Sequence, residues 1–285
     1  MEGEVDSFCS NFTGNVCPSH SDVANPRSAL AAQEALGDND DLMELLPEPD
    51  ETLDTFLDGK VKVLQKRQGY RFSVDAVLLS QFIRLRNRDK AIDLGTGCGI
   101  LPLLLSQTTE GATFVGVEIQ KDLVALAKRN VALNHLENRI AILHQDLRNL
   151  PTEFPPGTFN VAFSNPPYRR RFSGRTNPSM EKAIARHEIE ATLDDLIWVT
   201  SFLLASKGRC YLIYPASRAI DLMVVLRKNQ LEPKRVRWVH PRPDREARWV
   251  LVEALKASGV ELHVIPPLFL RPEKPQGDVP RNPKL

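Results

Sequence analysis

An α/β fold with a mostly parallel sheet is predicted by three features of this 285-residue sequence. Short apolar runs alternate with amphipathic stretches, which calls for parallel strands joined by crossover helices. A glycine-rich turn separates the first strong apolar run from the helix after it. Near the C terminus two strand-like runs flank a polar, basic stretch, as in an antiparallel hairpin. Taken in order, residues 91–94, 113–117, 140–144, 161–164 and 209–214 read as strands. Each is short and dominated by apolar side chains, the composition of strands covered on both faces. Residues 100–107, 121–134, 193–205 and 218–229 space their apolar positions three and four apart and read as helices. Residues 236–239 and 249–256 are the expected hairpin around 240–248. No internal repeat is present.

Composition sets the limits. With 42% apolar and 26% charged residues the chain can bury a core, so wholesale disorder is excluded. No run of 18 apolar residues exists, and Met1 is followed by Glu2 and Glu4, so neither a membrane span nor a signal peptide is expected. Cys9, Cys17, Cys98 and Cys210 lie far apart without a CxxC, which fits neither a disulfide framework nor a zinc cage. The histidines lack metal-ligand spacing, so no metal is expected. The expectation is a cytoplasmic protein, monomeric or weakly dimeric. Its net charge of +1 hides an asymmetry: residues 1–50 hold 11 acidic side chains against Arg27 alone, so the rest of the chain is strongly basic. A basic body suits a phosphate-bearing partner. Residues 1–50 read as an acidic, disordered leader, 51–270 as one folded domain and 271–285 as a proline-rich tail. Met43, the only methionine between Met1 and Met180, marks an alternative translation start.

Four motifs carry chemistry. Asp93-Leu-Gly95-Thr96-Gly97-Cys98-Gly99 ends a strand and opens a helix, where glycines let backbone N–H groups approach a ligand. Its spacing is not GxGxxG, and no Gly-Lys-Ser/Thr follows, so neither a dinucleotide fingerprint nor a P-loop is present. Alone, it fits a tight strand-to-helix turn in any α/β protein. Glu118, 25 residues after Asp93, ends the next strand, where a carboxylate can accept from both hydroxyls of a ribose across the sheet edge. A helix cap is the plain alternative. Asp146 follows the third strand and can accept from an adenine amino group, or cap a turn. Most specific is Asn165-Pro166-Pro167-Tyr168, directly after 161–164. The prolines fix the backbone so that the Asn165 side-chain oxygen and the Pro166 carbonyl can converge on a planar –NH2 group. Tyr168 offers a ring on which a base can stack.

The glycine-rich loop and the NPPY tetrad, in this order, resemble the class I S-adenosylmethionine-dependent amino-methyltransferases. The resemblance implies a Rossmann-like, seven-stranded sheet with helices on both faces, and S-adenosylmethionine as cofactor. It implies that Asp93, Gly95 and Gly97 hold the methionine moiety, Glu118 the ribose and Asp146 the adenine, with Thr96, Cys98, Gly99, Ile119 and Leu147 also among the cofactor-binding residues. Asn165, Pro166, Pro167 and Tyr168 would hold the target amine, with Asn165 also bordering the cofactor. Residues 68–79, Gln68-Gly-Tyr-Arg-Phe72-Ser-Val-Asp75 and the apolar run after it, look like that group's additional cofactor segment. Phe72 would then be among the cofactor-binding residues and Asp75 would lie near the methionine amino group, although Asp75 reads equally well as a carboxylate at a helix N terminus. Gly174-Arg175-Thr-Asn-Pro178, Lys182-Ala-Ile-Ala-Arg186-His187-Glu188, Leu251–Lys256 and Pro266-Pro267-Leu268 resemble the bacterial valine-tRNA adenine-37 N6-methyltransferase family over essentially 52–270.

Charge geography agrees with an RNA substrate. Arg169, Arg170, Arg171 and Arg175 follow Tyr168, so a basic loop borders the place where the amine would enter. With Lys182, Arg186 and His187 they are the expected RNA contacts. A second cluster, Arg235, Arg237, His240, Arg242, Arg245 and Arg248, falls on the late hairpin and adds to that expected basic surface, with a solvated face as the plain alternative. The expected reaction is methyl transfer to an exocyclic amine of a nucleobase in RNA, most of all N6 of adenine 37 in a tRNA anticodon loop. A protein glutamine amide, guanine N2 of ribosomal RNA and DNA adenine are amine-directed alternatives. A non-catalytic RNA-binding module is the alternative of a different kind.

Overall fold

The computed structural model describes residues 46–68, 71, 74–166 and 191–271. Of the expected leader, 1–50, residues 46–50 are described, with Glu48 and Asp50 paired to Lys66, while residues 1–45 and, in the expected tail, 272–285 lie outside the described residues. The elements run β1 (Glu51–Phe56), β2 (Val61–Lys66), α1 (Val74–Phe82), β3 (Lys90–Leu94), α2 (Ile100–Ser106), β4 (Thr113–Glu118), α3 (Lys121–Leu133) and β5 (Ile140–His144). They continue with α4 (Leu150–Glu153), β6 (Phe159–Ser164), α5 (Leu193–Leu203), β7 (Leu204–Pro215), α6 (Ala219–Lys228), β8 (Leu231–His240), β9 (Trp249–Lys256), β10 (His263–Val264) and β11 (Leu268–Phe269).

The main sheet has the order β10-β8-β9-β7-β6-β3-β4-β5, with β11 also pairing to β8. Strands β3 to β7 are mutually parallel, and β9 runs against both β7 and β8. The apolar strands are explained by this placement, because alternate side chains feed two separate cores. Ala91, Val161, Tyr211 and Leu251 enter the core under α1, α2 and α3. Ile92, Ala162, Leu212 and Val252 enter the core under α4, α5 and α6. Helices thus cover both faces. The expected seven strands are β3 to β9, but the sheet has nine. The extra two, β10 and β11, are two-residue pieces either side of Pro266-Pro267 and lie on the open side of β8. Prolines donate no ladder bond and are tolerated at sheet edges, strand starts and bulges, and here they fall between two short pieces at the edge. Among the described residues no helix is long and apolar enough to cross a membrane.

A second, two-stranded sheet, β1–β2, is not revealed by the strand–helix alternation, because its strands are half polar. Its turn carries Leu57, Asp58 and Gly59 at positive φ, a geometry that Asp and Gly accommodate. Helix α3 docks this hairpin through side-chain amides. The Asn134 Oδ1 accepts from the Lys62 N–H at 2.9 Å while its Nδ2 donates to the Lys62 carbonyl at 2.7 Å. One turn earlier, Asn130 repeats the pattern on Leu64, at 2.6 and 3.0 Å. Asparagines four apart on a helix therefore stand in for a neighbouring strand, reading alternate residues of β2. Glu48, Asp50 and Glu51 gather beside this junction, and Lys66 and Arg129 neutralise them, with Glu51 buried.

The opposite end of the sheet is bolted by charge. Arg209 on β7 donates to the Arg84 carbonyl and pairs with Asp89 just before β3, both side chains being largely buried. Removing one member of such a pair strands the other in low dielectric. Arg209→Ala is therefore expected to lower unfolding stability by about 3–5 kcal/mol. In chemical denaturation, Arg209→Met with Asp89→Leu should recover part of that loss; equal losses for the single and double variants would contradict the pairing.

Candidate functional site

The chain steps outward from β3 in one direction through β4 and β5, and in the other through β6 and β7. The crevice between β3 and β6 is therefore a topological switch point, the place where open α/β sheets bind ligands beyond their carboxyl ends. The glycine-rich loop leaves β3 on one side of it, and Asn165 and Pro166 leave β6 on the other. The two lips are tied together: the buried Ser164 hydroxyl donates to the Leu94 carbonyl at 2.5 Å.

The loop is held from several directions. Gly95, Gly97 and Gly99 have φ of 81°, 57° and 85°, left-handed values that favour glycine. The N–H groups of Gly95 and Thr96 both reach the Val117 carbonyl at 2.9 Å. Glu118, buried at the end of β4, accepts from the Gly97 N–H at 3.0 Å through one oxygen. Its other oxygen accepts from the N–H groups of Ile119 and Gln120, each at 3.0 Å. On the far side, Asn130 Nδ2 donates to the Cys98 carbonyl at 2.9 Å. Gly116 on β4 makes room for the loop, since a Cβ there would sit 2.9 Å from Thr96 Oγ1 and 2.9 Å from Ile142 Cδ1.

Asp93 is the electrostatic centre. It is 0% exposed; its Oδ2 accepts from the Thr96 hydroxyl at 2.7 Å. Its Oδ1, equally buried, has no hydrogen-bond partner among the described residues. Desolvation lifts its pKa to about 7, opposed by the Thr96 hydrogen bond and assisted by the nearby negative charge of Glu118. A buried acceptor left bare at a switch point suits a ligand that brings its own donor or positive charge. Glu118 beside it, with three backbone N–H groups already bound, keeps a lone pair on Oε2 for a hydroxyl donor.

The sequence-marked residues divide into groups. Asp93, Gly95, Thr96, Gly97, Gly99 and Glu118 come together as one unit. Cys98 belongs to the loop only through its backbone, because its thiol is buried in the core and burial pushes its pKa up to about 12. Ile119 leaves its side chain half exposed, and Leu147 packs against the second core. Asp75 is buried in the first turn of α1, where its Oδ1 accepts from the Ala76 N–H at 3.1 Å. Asp146 caps the short turn after β5, accepting from the Arg148 N–H at 2.9 Å. Both its oxygens are also engaged by the Arg148 guanidinium. Its cap reading is thus realised, and an adenine there would share the carboxylate with Arg148. Phe72, Pro167, Tyr168, Arg169, Arg170, Arg171, Arg175, Lys182, Arg186 and His187 lie outside the described residues.

The hairpin arginines are mostly spoken for. Arg235 pairs with Glu253 at 3.2 Å, donates to the Phe82 carbonyl and lies over the Phe82 ring. Arg237 donates to the Pro266 carbonyl, Arg242 and Arg245 share Asp244, and Arg248 lies over Trp249. Sequence reasoning missed Asn130, Ser164 and Arg148. Only Arg148, two residues from an Asp, left a local signal; the other two act on backbone groups 32 and 70 residues away.

A family model described as "Methyltransferase small domain" matches residues 73–192. The chain is similar to the "tRNA1(Val) (adenine(37)-N6)-methyltransferase" of Parabacteroides distasonis, with 28% identity over 68% of this chain and 80% of that protein. It is 32% identical to a protein of the same name from Porphyromonas gingivalis over 57% of this chain, and spans 64% of that relative's length. Among solved structures, a predicted O-methyltransferase from Agrobacterium tumefaciens shares the fold, with a TM-score of 0.56 at 22% identity over 70% of this chain and 88% of that one. Residues 73–192, which hold the switch-point loop and both carboxylates, match the methyltransferase small domain, and the chain is similar to proteins named tRNA1(Val) (adenine(37)-N6)-methyltransferase.

Proposed function

We propose that this protein transfers a methyl group from S-adenosylmethionine to an exocyclic amine of a nucleobase in RNA, namely N6 of adenine 37 in a tRNA anticodon loop. The observation that carries this reading is the placement of Asn165-Pro166 directly across the switch point from the glycine-rich loop, with the lips tied by Ser164 and Leu94. The names of the curated relatives supply the substrate. Residues 51–270 are taken as the catalytic domain, working in the cytoplasm as a monomer or weak dimer without a metal.

The site fits the cofactor. The bare Asp93 Oδ1 would accept from its amino group, Glu118 from a ribose hydroxyl, and Asp146 from its adenine, with the glycine loop, Asp75 and Phe72 around its methionine. When bound, S-adenosylmethionine supplies an electrophilic methyl group on a sulfonium. The protein's own part is orientation. The Asn165 side-chain oxygen and the Pro166 carbonyl hold the two amine hydrogens and aim the nitrogen lone pair, and they stabilise positive charge as it develops on that nitrogen. No strong base is required, because the nitrogen becomes acidic only as it is alkylated. Tyr168 would stack the base, which must be unstacked from its neighbours, easiest in an RNA loop. Arg169, Arg170, Arg171, Arg175, Lys182, Arg186 and His187 would contact the backbone phosphates.

Labelled methyl transfer to total tRNA from a strain lacking the gene, followed by nucleoside mass analysis, tests the substrate. N6-methyladenosine in a valine tRNA is expected; label only in protein or in 2-methylguanosine would overturn the reading. Asn165→Ala is expected to leave cofactor affinity nearly unchanged and to lower turnover at least about a hundredfold, measured by single-turnover kinetics.

Asp93 gives a pH dependence. Its pKa in the ligand-free fold, about 7, lies above the ordinary 3.8. It therefore stabilises the ligand-free fold in acid, and that contribution fades as pH rises from about 4 to about 7. A ligand ammonium group favours the ionised form, so affinity should move the other way. S-adenosylhomocysteine is expected to bind about tenfold more weakly at pH 6 than at pH 8, and Asp93→Asn should flatten that dependence in calorimetry.

A further inference from the structure

Asn130 lies on α3, outside every sequence motif, and is 0% exposed. All its hydrogen-bonding capacity seen in the fold goes to backbone groups of two segments distant in sequence. Its Oδ1 takes the Leu64 N–H at 2.6 Å, and its Nδ2 supplies one hydrogen to the Leu64 carbonyl at 3.0 Å and the other to the Cys98 carbonyl at 2.9 Å. The first pair of bonds docks β2, and the third clamps the glycine-rich loop. Within that loop the neighbouring Gly97 N–H is held from the opposite side by Glu118. The peptide between Gly97 and Gly99 is therefore gripped at one end by the strand that carries the ribose-side carboxylate and at the other by an amide that also holds the hairpin.

Asn134 is the natural comparison. It makes the same two bonds to β2, at Lys62, and its remaining Nδ2 hydrogen goes to the Asn130 carbonyl within its own helix. Among the described residues none of its side-chain hydrogen bonds reaches the loop. The two asparagines thus share the structural task of docking the hairpin, and only Asn130 reaches the functional segment.

We propose that Asn130 is a positioning residue for cofactor binding: it fixes the Cys98 carbonyl, and so the orientation of the glycine-rich loop, while making the β1–β2 hairpin part of the same unit. The inference rests on the reading of this loop as the cofactor site. A loop pre-set in its binding conformation costs less to order when the ligand arrives. Coupling is reciprocal, so a ligand on the loop must also tighten the amide's grip on Leu64.

The test compares Asn130→Ala with Asn134→Ala in the full-length protein, at a temperature where circular dichroism shows both folded. S-adenosylhomocysteine is the calorimetric probe. Asn134→Ala is expected to bind within about twofold of the natural protein. Asn130→Ala is expected to bind about tenfold more weakly, the effect of one net hydrogen bond, with KM for S-adenosylmethionine raised alike and kcat at saturation within about twofold. Equal affinities for the two variants would overturn the proposal. Should Asn130→Ala fail to fold, Asn130→Ser takes its place, and the unaltered protein offers a second measurement: S-adenosylhomocysteine should slow amide exchange at Leu64, and unchanged exchange there would overturn the proposal. If the unaltered protein does not bind the probe, the cofactor reading itself falls, a failure distinct from binding that is indifferent to Asn130.

Discussion

A carboxylate buried with one oxygen satisfied and the other bare is the constraint around which this structure is arranged. Asp93 sits at the end of β3 with no exposure, and among the described residues only the Thr96 hydroxyl donates to it. Keeping such a group costs stability unless something binds there. The surroundings follow from that requirement. Thr96 can reach Asp93 because Gly116 leaves its neighbouring strand without a Cβ. The loop can turn back over β3 because three of its residues take left-handed backbone angles. Glu118, a second buried carboxylate close by, is stabilised by three backbone N–H groups and does not share the bare character of Asp93. Two neighbouring acids thus play different parts: Glu118 fixes the loop, and Asp93 waits for a donor.

Stability and function occupy opposite ends of the sheet. At the amino end, Arg209, Asp89 and the Arg84 carbonyl form a closed set, and the adjoining Tyr211 hydroxyl reaches Glu253. At the carboxyl end the groups are held but not saturated. That end is braced from outside the main sheet by the β1–β2 hairpin, through α3. The hairpin is therefore more than an N-terminal embellishment, since the helix that docks it also touches the loop.

The short parallel strands β3 to β6 were legible because strands covered on both faces need apolar residues at nearly every position, whereas 209–214 and 236–239 capture only part of β7 and β8, whose remaining residues include polar or charged side chains that break the run. Residues 140–144 read from sequence as β5 stands, and 121–134 and 218–229 overrun their helices by one or two residues at the ends. The β1–β2 hairpin escaped because residues such as Thr52, Asp54 and Lys62 break its apolar pattern; its partner is a set of amides, which leave no periodic signature. The additional edge strands escaped because Pro266-Pro267 argues against a strand, an objection that their position at the sheet edge relieves. In the site, charge identity was easier to read than charge pairing. Asp93 and Glu118 stand where strand ends placed them. Asp146, by contrast, is engaged by Arg148, and Arg235 is drawn into a pair with Glu253 rather than left on the surface. Whether a charge is free or paired depends on residues brought together by the fold, and spacing along the chain does not contain that information.

The most direct measurement is the carbon-13 carboxyl shift of Asp93, followed through a pH titration by nuclear magnetic resonance with and without S-adenosylhomocysteine. The ligand-free protein should titrate near pH 7. Bound ligand should move that midpoint well down, because the amino group completes the bare oxygen and favours the ionised form. A midpoint that stays where it was when the ligand is bound would contradict the account.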